Sequence, residues 1–384
     1  MATIEQEYTL RILRDFLHEK PTARENVDWN ALYAIAKGQQ LEAIFYHQTK
    51  KSLFEKPFLQ QVSRSVRIEE QTGKLKKALE GYDFFFLKGA WLKALYPVPA
   101  LRSMGDVDLM VRKADEEEIQ KRLEEAGFTY EKSWEEQSVY YRNQVCFEVH
   151  NRLVLSRERH DAREAFSAGV WDYVQGHELD INYHFIYVLF HLRKHLRGHG
   201  VGLRQFMDVA VLSRKVDLDW AWIVAQLEKL DALTFLKRVL AFNERAFGVK
   251  VPEEAGRIIG IEPLEERFYQ EALARIFAGG VFGKGVPESV SRQIARIMQG
   301  EKVGIAKAKR VYLRNRLFPS YEQIKGYSYL RYLRNGRVLL PLAWVHRWIY
   351  ALCHKKIGPG LKEAAAVEDQ DIREQTEISA KWGL

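Results

Sequence analysis

The chain reads as an α+β protein, with a small mixed sheet flanked by helices and followed by a large all-helical region. Two observations carry that reading. Apolar runs of strand length are confined to residues 84–150, as FFFLKGAWLKALYP, LRSMGDVDLMV and VCFEVHNRL. Elsewhere apolar residues recur at helical spacing, and no strand is expected after about residue 160.

In residues 4–80, Leu10, Ile12, Leu13 and Phe16 share a helical stripe, as do Leu32, Ile35, Leu41, Ile44 and Phe45. A helix over about 60–80 (RIEEQTGKLKKALEGY) feeds the first strand. ADEEEIQKRLEEAG (114–127) is expected to be a helix with its acids at the positive N-terminal end and Gly127 at its stop. FTYEKSW and SVYYRN alternate like strands and form a meander with VCFEVH. Helices are expected over 182–199, 203–214, 219–231, 234–247 and 263–277, with no repeat of fixed period.

Four regions follow: an N-terminal helical segment packing on the core (1–80), the carboxylate-bearing sheet (81–160), a helical domain completing the site (161–300) and a basic, aromatic-rich helical region (301–384). The polar tail after Lys362 is expected to fray.

Composition excludes several classes. A 44.9 kDa chain can bury the core of two domains or one large composite. Hydrophobic content of 47% with nine tryptophans excludes a mostly disordered chain. Cys146 and Cys353 are far apart, which excludes a disulfide framework or cysteine metal site and suits a reducing cytoplasm. The opening MATIEQEYTLRILRDF is acidic and amphipathic, unlike a secretory signal. No run approaches the ~20 apolar residues that span a bilayer. The expected location is the cytoplasm.

The chemistry concentrates in the strands. Asp106 and Asp108 flank one valine in an apolar run, so both carboxylates project to the same face. Glu148 sits in a similar strand between Phe147 and Val149. Three neighbouring anions in apolar strands require a cation, and Mg²⁺ (or Mn²⁺) suits carboxylate oxygens while leaving positions for phosphates. Asp-x-Asp occurs three times, at Asp106/Asp108, Asp217/Asp219 and Asp369/Asp371. The second pair suits a helix N-cap at Asp219 and the third a solvated tail, so only the first has strand context. His150, two residues beyond Glu148, is expected to hydrogen-bond a carboxylate or pack beside the site.

Further along, His191, Lys194 and His195 fall within one helical turn. Beyond the Gly-rich turn 198–202, Arg204 and Asp208 lie one turn apart, where they either serve the site or pair with each other. Arg102 either positions a triphosphate or pairs with an acid.

The block from Lys88 to Arg152 resembles the nucleotidyltransferase superfamily that includes kanamycin nucleotidyltransferase and DNA polymerase β. More closely it resembles the bacterial nucleotidyltransferase family 5 group, related to abortive-infection toxin nucleotidyltransferases. That pattern is a strand, a Gly-Gly or Gly-Ser turn opening a helix, Asp-x-Asp or Asp-x-Glu on the next strand, and a third carboxylate later. Here Gly89-Ala90, Asp106 with Asp108, and Glu148 match it. The resemblance continues through HLRKHLRGHGVGLRQFMDVAVL (191–212) and, more loosely, RLFPSYEQI (316–324).

It implies transfer of a nucleoside monophosphate from an NTP to a hydroxyl acceptor, with two Mg²⁺ ions held by Asp106, Asp108 and Glu148. Glu148 alternatively acts as general base. Lys194 and Asp208 would complete the catalytic set, and Lys88, Gly89, Ala90, Arg102 and Arg204 would contact nucleotide or phosphate. The sequence departs from the pattern at Ala90, where the family has Gly or Ser, and in a longer gap to Asp106. Lys88 either supplies the missing phosphate contact or is a strand-end lysine reaching solvent. The acceptor is a small metabolite, a peptide or protein hydroxyl, or an RNA 3′ end. A non-catalytic nucleotide- or nucleic-acid-binding protein on the same fold is the rival reading.

Charge is uneven. Residues 302–362 hold 14 Lys/Arg and one acid, +13, against +8 for the whole chain, so the remainder sums to −5. Tyr312, Phe318, Tyr321, Tyr327, Tyr329, Tyr332, Trp344, Trp348 and Tyr350 interleave with these cations. This suits a solvated helical face, a polyanion such as nucleic acid, or a membrane-surface contact through LLPLAWVHRWIYALCHKK (339–356).

Overall fold

A computed structural model describes residues 2–133, 136–153, 161–197, 201–281, 288–324, 330, 332–333, 336–353 and 367–384. The fold is α+β, a five-stranded mixed sheet in the first half and helices after it. The chain divides into two units, one up to Lys284 and one from Gly285 to Trp382.

The first unit opens with helices α1 (Ile4–Leu17), α2 (Trp29–Gln39), α3 (Glu42–Thr49) and α4 (Glu55–Ala78). Thr3 caps α1 in a reciprocal exchange with Gln6, and Asp28 caps α2 through Asn30 and Ala31 N–H. The sheet is built from β1 (Phe84–Leu87), β2 (Asp106–Val111), β3 (Thr129–Ser133), β4 (Gln137–Arg142) and β5 (Val145–His150), in the order β1-β2-β5-β4-β3. β1 runs antiparallel to β2, β2 parallel to β5, and β5, β4 and β3 form an antiparallel meander.

Alternation gives the sheet two different faces. Phe84, Val107, Leu109, Val111, Phe147 and Val149 form one core with Ile68, Leu75 and Leu79 of the α4 region and with Ile119 and Leu123 of α6 (Glu116–Glu125). Truncating one of these large buried side chains costs about 2–5 kcal/mol. That face fixes the register, because a one-residue slip would turn the carboxylates into this core. The opposite face carries Asp106, Asp108 and Glu148, with Asp106 opposite Cys146 and Asp108 opposite Glu148.

Beyond the sheet come α7 (Asp161–Ala168), a short ribbon of β6 (Val174–Gln175) and β7 (Glu178–Leu179), and helices α8 (Ile181–Arg197) and α9 (Leu203–Lys215). The ribbon differs from the expectation of no strand past 160; two-residue strands are too short to show alternation. Asp180 caps α8, whose residues 183–190 are all buried. α10 (Trp220–Lys229), α11 (Leu233–Phe247), α12 (Glu253–Ile259) and α13 (Glu266–Gly279) complete the unit. Arg14 of α1 and His18 just after it bond to carbonyls at the end of α11, so the N-terminal helices rest on the helical region as well as the sheet.

In the second unit α14 (Glu288–Glu301) packs with α15 (Ile305–Leu317) and with the helix Asp369–Trp382. Val290, Ile294, Ala308, Tyr312 and Ile372 form its core. The stretch expected to fray is therefore helical from 369 to 382, since Ile372 and Trp382 give it an apolar side to bury. Here Phe318 meets Trp344 and Trp348 edge-on, and both indoles donate to backbone carbonyls. Those three aromatics are thus engaged in packing. Tyr327, Tyr329 and residues 354–366 of the basic stretch lie outside the described residues. No described helix is long and apolar enough to cross a membrane.

Candidate active site

A cleft of about 170 Å³ opens between the polar face of the sheet, the loop before β2, and helices α8 and α9. Asp106 and Asp108 line one side, and Lys88, His191, His195 and Arg204 also line it. Glu148 and His150 adjoin Asp108 along the sheet: Asp108, Glu148 and His150 each bring a ligand atom within 4.8 Å of the others.

The carboxylates are held in unequal states. Asp106 is raised above the ordinary carboxylate range, first by the Asp108 charge and then by burial. Glu148 is raised by burial and then by Asp108 and Asp106. Asp108 is buried, which alone would raise it, yet Lys88 and His150 hold it below the usual range. Lys88 Nζ lies 2.7 Å and His150 Nε2 2.9 Å from the same Oδ1 of Asp108.

Lys88 gets there through its backbone. Leu87 pairs with Asp108, so a continued strand would alternate Lys88 to the opposite face. Instead Lys88 has φ +47° and ψ −122°, a left-handed conformation costing on the order of 1–3 kcal/mol in a non-glycine residue. Its N–H donates to His184 Nε2 of α8 at 3.1 Å. Burial pushes the His184 imidazole down to about 3, keeping it neutral and able to accept. The sequence left Lys88 between a phosphate contact and a solvent-facing lysine; its ammonium is on Asp108.

Gly89 follows and opens the short helix α5 (Gly89–Leu92). A Cβ there would lie 2.3 Å from Arg102 Nη1 and 2.7 Å from Met104 Sδ. The glycine therefore admits the Arg102 guanidinium. Ala90 packs against the apolar core and is not among the residues lining the cleft.

Arg102 forms a two-bond fork with Asp208 of α9, at 2.8 and 2.7 Å, and Tyr96 donates its hydroxyl to the same carboxylate at 2.6 Å. Asp208 is thus engaged with Arg102 rather than Arg204. Arg204 Nη1 instead donates to Ser103 O at 2.6 Å, Ser103 Oγ at 3.0 Å and Gln40 Oε1 at 3.4 Å. Its Nε is buried, with no hydrogen-bond partner among the described residues. Burial and the neighbouring Arg102 disfavour its charge. Such a guanidinium, hydrogen-bonded to neutral oxygens on the wall of a cleft while Asp208 and Asp106 act on it through space, suits an anionic ligand.

On α8, His191 Nε2 lies 3.3 Å from Lys88 Nζ and 3.2 Å from His195 Nε2. Burial and then Lys88 push His191 well below its ordinary value, so it is neutral. Lys194 is exposed and does not line the cleft. The structure therefore turns the two histidines of that helical turn inward and leaves the lysine outside. Their i,i+4 spacing was the available signal. Gln40 and Ser103 offered no signal, because only the meeting of α2, the pre-β2 loop and α9 brings them to Arg204. Residues 198–200 of the Gly-rich turn lie outside the described residues.

Paired strand carboxylates beside a strand–turn–helix thus face a cleft wall that carries Arg204. The model of an uncharacterised nucleotidyltransferase family matches residues 25–248, more than half of the chain, and the chain belongs to that family. No curated protein and no solved structure matches it. The matched span covers the sheet, α8 and α9, and thus every cleft residue but Val281.

Proposed function

We propose that this protein transfers a nucleoside monophosphate from an NTP to a hydroxyl acceptor, releasing pyrophosphate. The observation that carries the reading is the register placing Asp108 of β2 opposite Glu148 of β5, with Asp106 on the same face. The donor set suits Mg²⁺ or Mn²⁺: Asp108 and Glu148 bring carboxylate oxygens, with His150, within 4.8 Å of one another, and Asp106 shares their face of the sheet, raised first by the Asp108 charge. Asp106, Asp108 and Glu148 would hold the ion, which when bound supplies positive charge to the phosphates.

The chain's own groups account for the remaining steps. Arg204, which lines the cleft, would take phosphate oxygens, and Lys88 would add a second cation. The acceptor oxygen attacks the α-phosphorus and the α–β bridging P–O bond breaks, its electron pair leaving on pyrophosphate. Glu148, if it does not ligate the ion, is the alternative general base for the acceptor's proton; burial and then Asp108 and Asp106 favour its protonated form. Asp208 acts on Arg102 and Tyr96, and so positions the cleft wall rather than the reacting atoms. Lys194, exposed on α8, is given no phosphate role.

The test is pyrophosphate release with each of the four NTPs and Mg²⁺, offering cell RNA and a metabolite extract as acceptors. Release that Asp106→Asn abolishes is expected; release indifferent to that change would sink the proposal. One observation favours a non-catalytic nucleotide binder: Lys88 already compensates Asp108. NTP binding without turnover would select it.

A further inference from the structure

Asp108 is 2% exposed, and a single oxygen, Oδ1, receives both the Lys88 ammonium and the His150 imidazole. An ion ligated through that oxygen would lie within a few ångströms of the ammonium, where like charges repel strongly in a buried site. The two cations therefore compete for one carboxylate.

Lys88 also has somewhere to go. Its backbone is pinned at φ +47° by the N–H bond to His184, so only the flexible stem can swing. The ammonium already lies 3.3 Å from His191 Nε2 on the cleft side. Arg204 lines the same cleft and is the cation an incoming anion would meet there.

We propose that Lys88 is a resident counter-ion of the carboxylate site, displaced from Asp108 when a polyphosphate enters the cleft, so that divalent metal and nucleotide load together. This rests on the nucleotidyl-transfer reading above and adds its order of assembly: the empty protein resists the metal, and the donor's phosphates relieve that resistance by taking the ammonium. Coupling between two such sites commonly amounts to about 5–150-fold in affinity.

The experiment is a titration of nucleotide-free protein with Mn²⁺, reading free Mn²⁺ by electron paramagnetic resonance. Lys88→Gly removes the ammonium and suits the left-handed backbone; Lys88→Met removes the charge and keeps the stem. Both should bind Mn²⁺ about tenfold more tightly than wild type, and adding Asp108→Asn to Lys88→Gly should abolish the gain. Equal or weaker binding by both variants, while Asp106→Asn still weakens it, overturns the counter-ion role and leaves the transfer reading standing. Binding indifferent to both Asp106 and Asp108 would put the ion elsewhere and remove the two readings together.

Discussion

Arg102 and Asp208, 106 residues apart in the chain, meet in a two-bond fork at 2.8 and 2.7 Å in the wall of the cleft. Both are buried, at 7% and 6% exposure, and Tyr96 adds a third bond to the carboxylate. The pair ties the loop before β2 to α9, and so sets the distance between Asp106 and Arg204.

Asp208→Asn should be strongly destabilising. Removing one partner leaves the buried Arg102 charge uncompensated, a loss of about 3–5 kcal/mol. Urea denaturation would show the midpoint falling with the slope unchanged. A shift under about 1 kcal/mol, the value of an exposed pair, would mean that the fork contributes little.

Asp106→Asn and Asp108→Asn should lose turnover alike and differ in stability. We expect activity to fall by on the order of 10²–10³-fold, as when a preorganised charge is removed from a reacting centre. Asp106→Asn relieves repulsion from Asp108, so its melting temperature should hold or rise. Asp108→Asn strips Lys88 of its ion pair and His150 of its acceptor, so it should melt lower. Equal melting temperatures would contradict the unequal charge states described for the pair.

Arg204→Met should weaken nucleotide binding while leaving the fold intact. A charge-assisted hydrogen bond contributes about 1.5–3 kcal/mol, so the dissociation constant should rise by tenfold or more. Isothermal calorimetry with an NTP whose α–β bridge cannot break would measure it. Stability should change little, because burial already disfavours this guanidinium and, among the described residues, its hydrogen bonds run to the neutral oxygens of Ser103 and Gln40. Undiminished binding would remove Arg204 from the phosphate site.

The pH dependence has a definite sign. Glu148 is raised by burial, then by Asp108 and Asp106, and Asp106 is raised by Asp108 and then by burial. A raised carboxyl holds its proton more tightly folded than unfolded. Its stabilisation is present at low pH and is lost as pH climbs from the unfolded value through the raised folded one. Asp108, lowered against its own burial by Lys88 and His150, acts in the opposite sense. It stabilises above its unfolded pKa and loses that contribution as pH falls through the folded value. Without metal, stability should therefore decline from the carboxylate range toward neutrality, and Mg²⁺ should raise the melting temperature more at about pH 7 than at about pH 5. Glu148→Gln should flatten this slope; an unchanged slope would show that Glu148 does not titrate as described.

Much of the fold was legible because it rests on local periodicity. The helices expected at 203–214 and 234–247 form as Leu203–Lys215 and Leu233–Phe247, since each stripe has an apolar side to bury. α12 went unread because seven residues with two adjacent isoleucines show little periodicity. The site was legible only along one strand at a time. Asp106 and Asp108 share a face by the period of two, and Glu148 was recognisable by its apolar flanks. Their register was not, because hydrogen bonding between β2 and β5 fixes which residues face each other.

The sequence by itself determined the sheet carrying the carboxylates, the helices around it and the positive charge near the C-terminus, since spacing and composition act over neighbouring residues. The tertiary structure alone decided the partners. Asp208 could have met Arg204 one turn away, yet it met Arg102, because burying both left the fork as the geometry that satisfied each charge. Lys88 could have pointed to solvent, yet a left-handed backbone pinned by His184 brought it to Asp108. Pairing of buried charges depends on distance in space, and distance in space is set by packing between elements far apart in the chain.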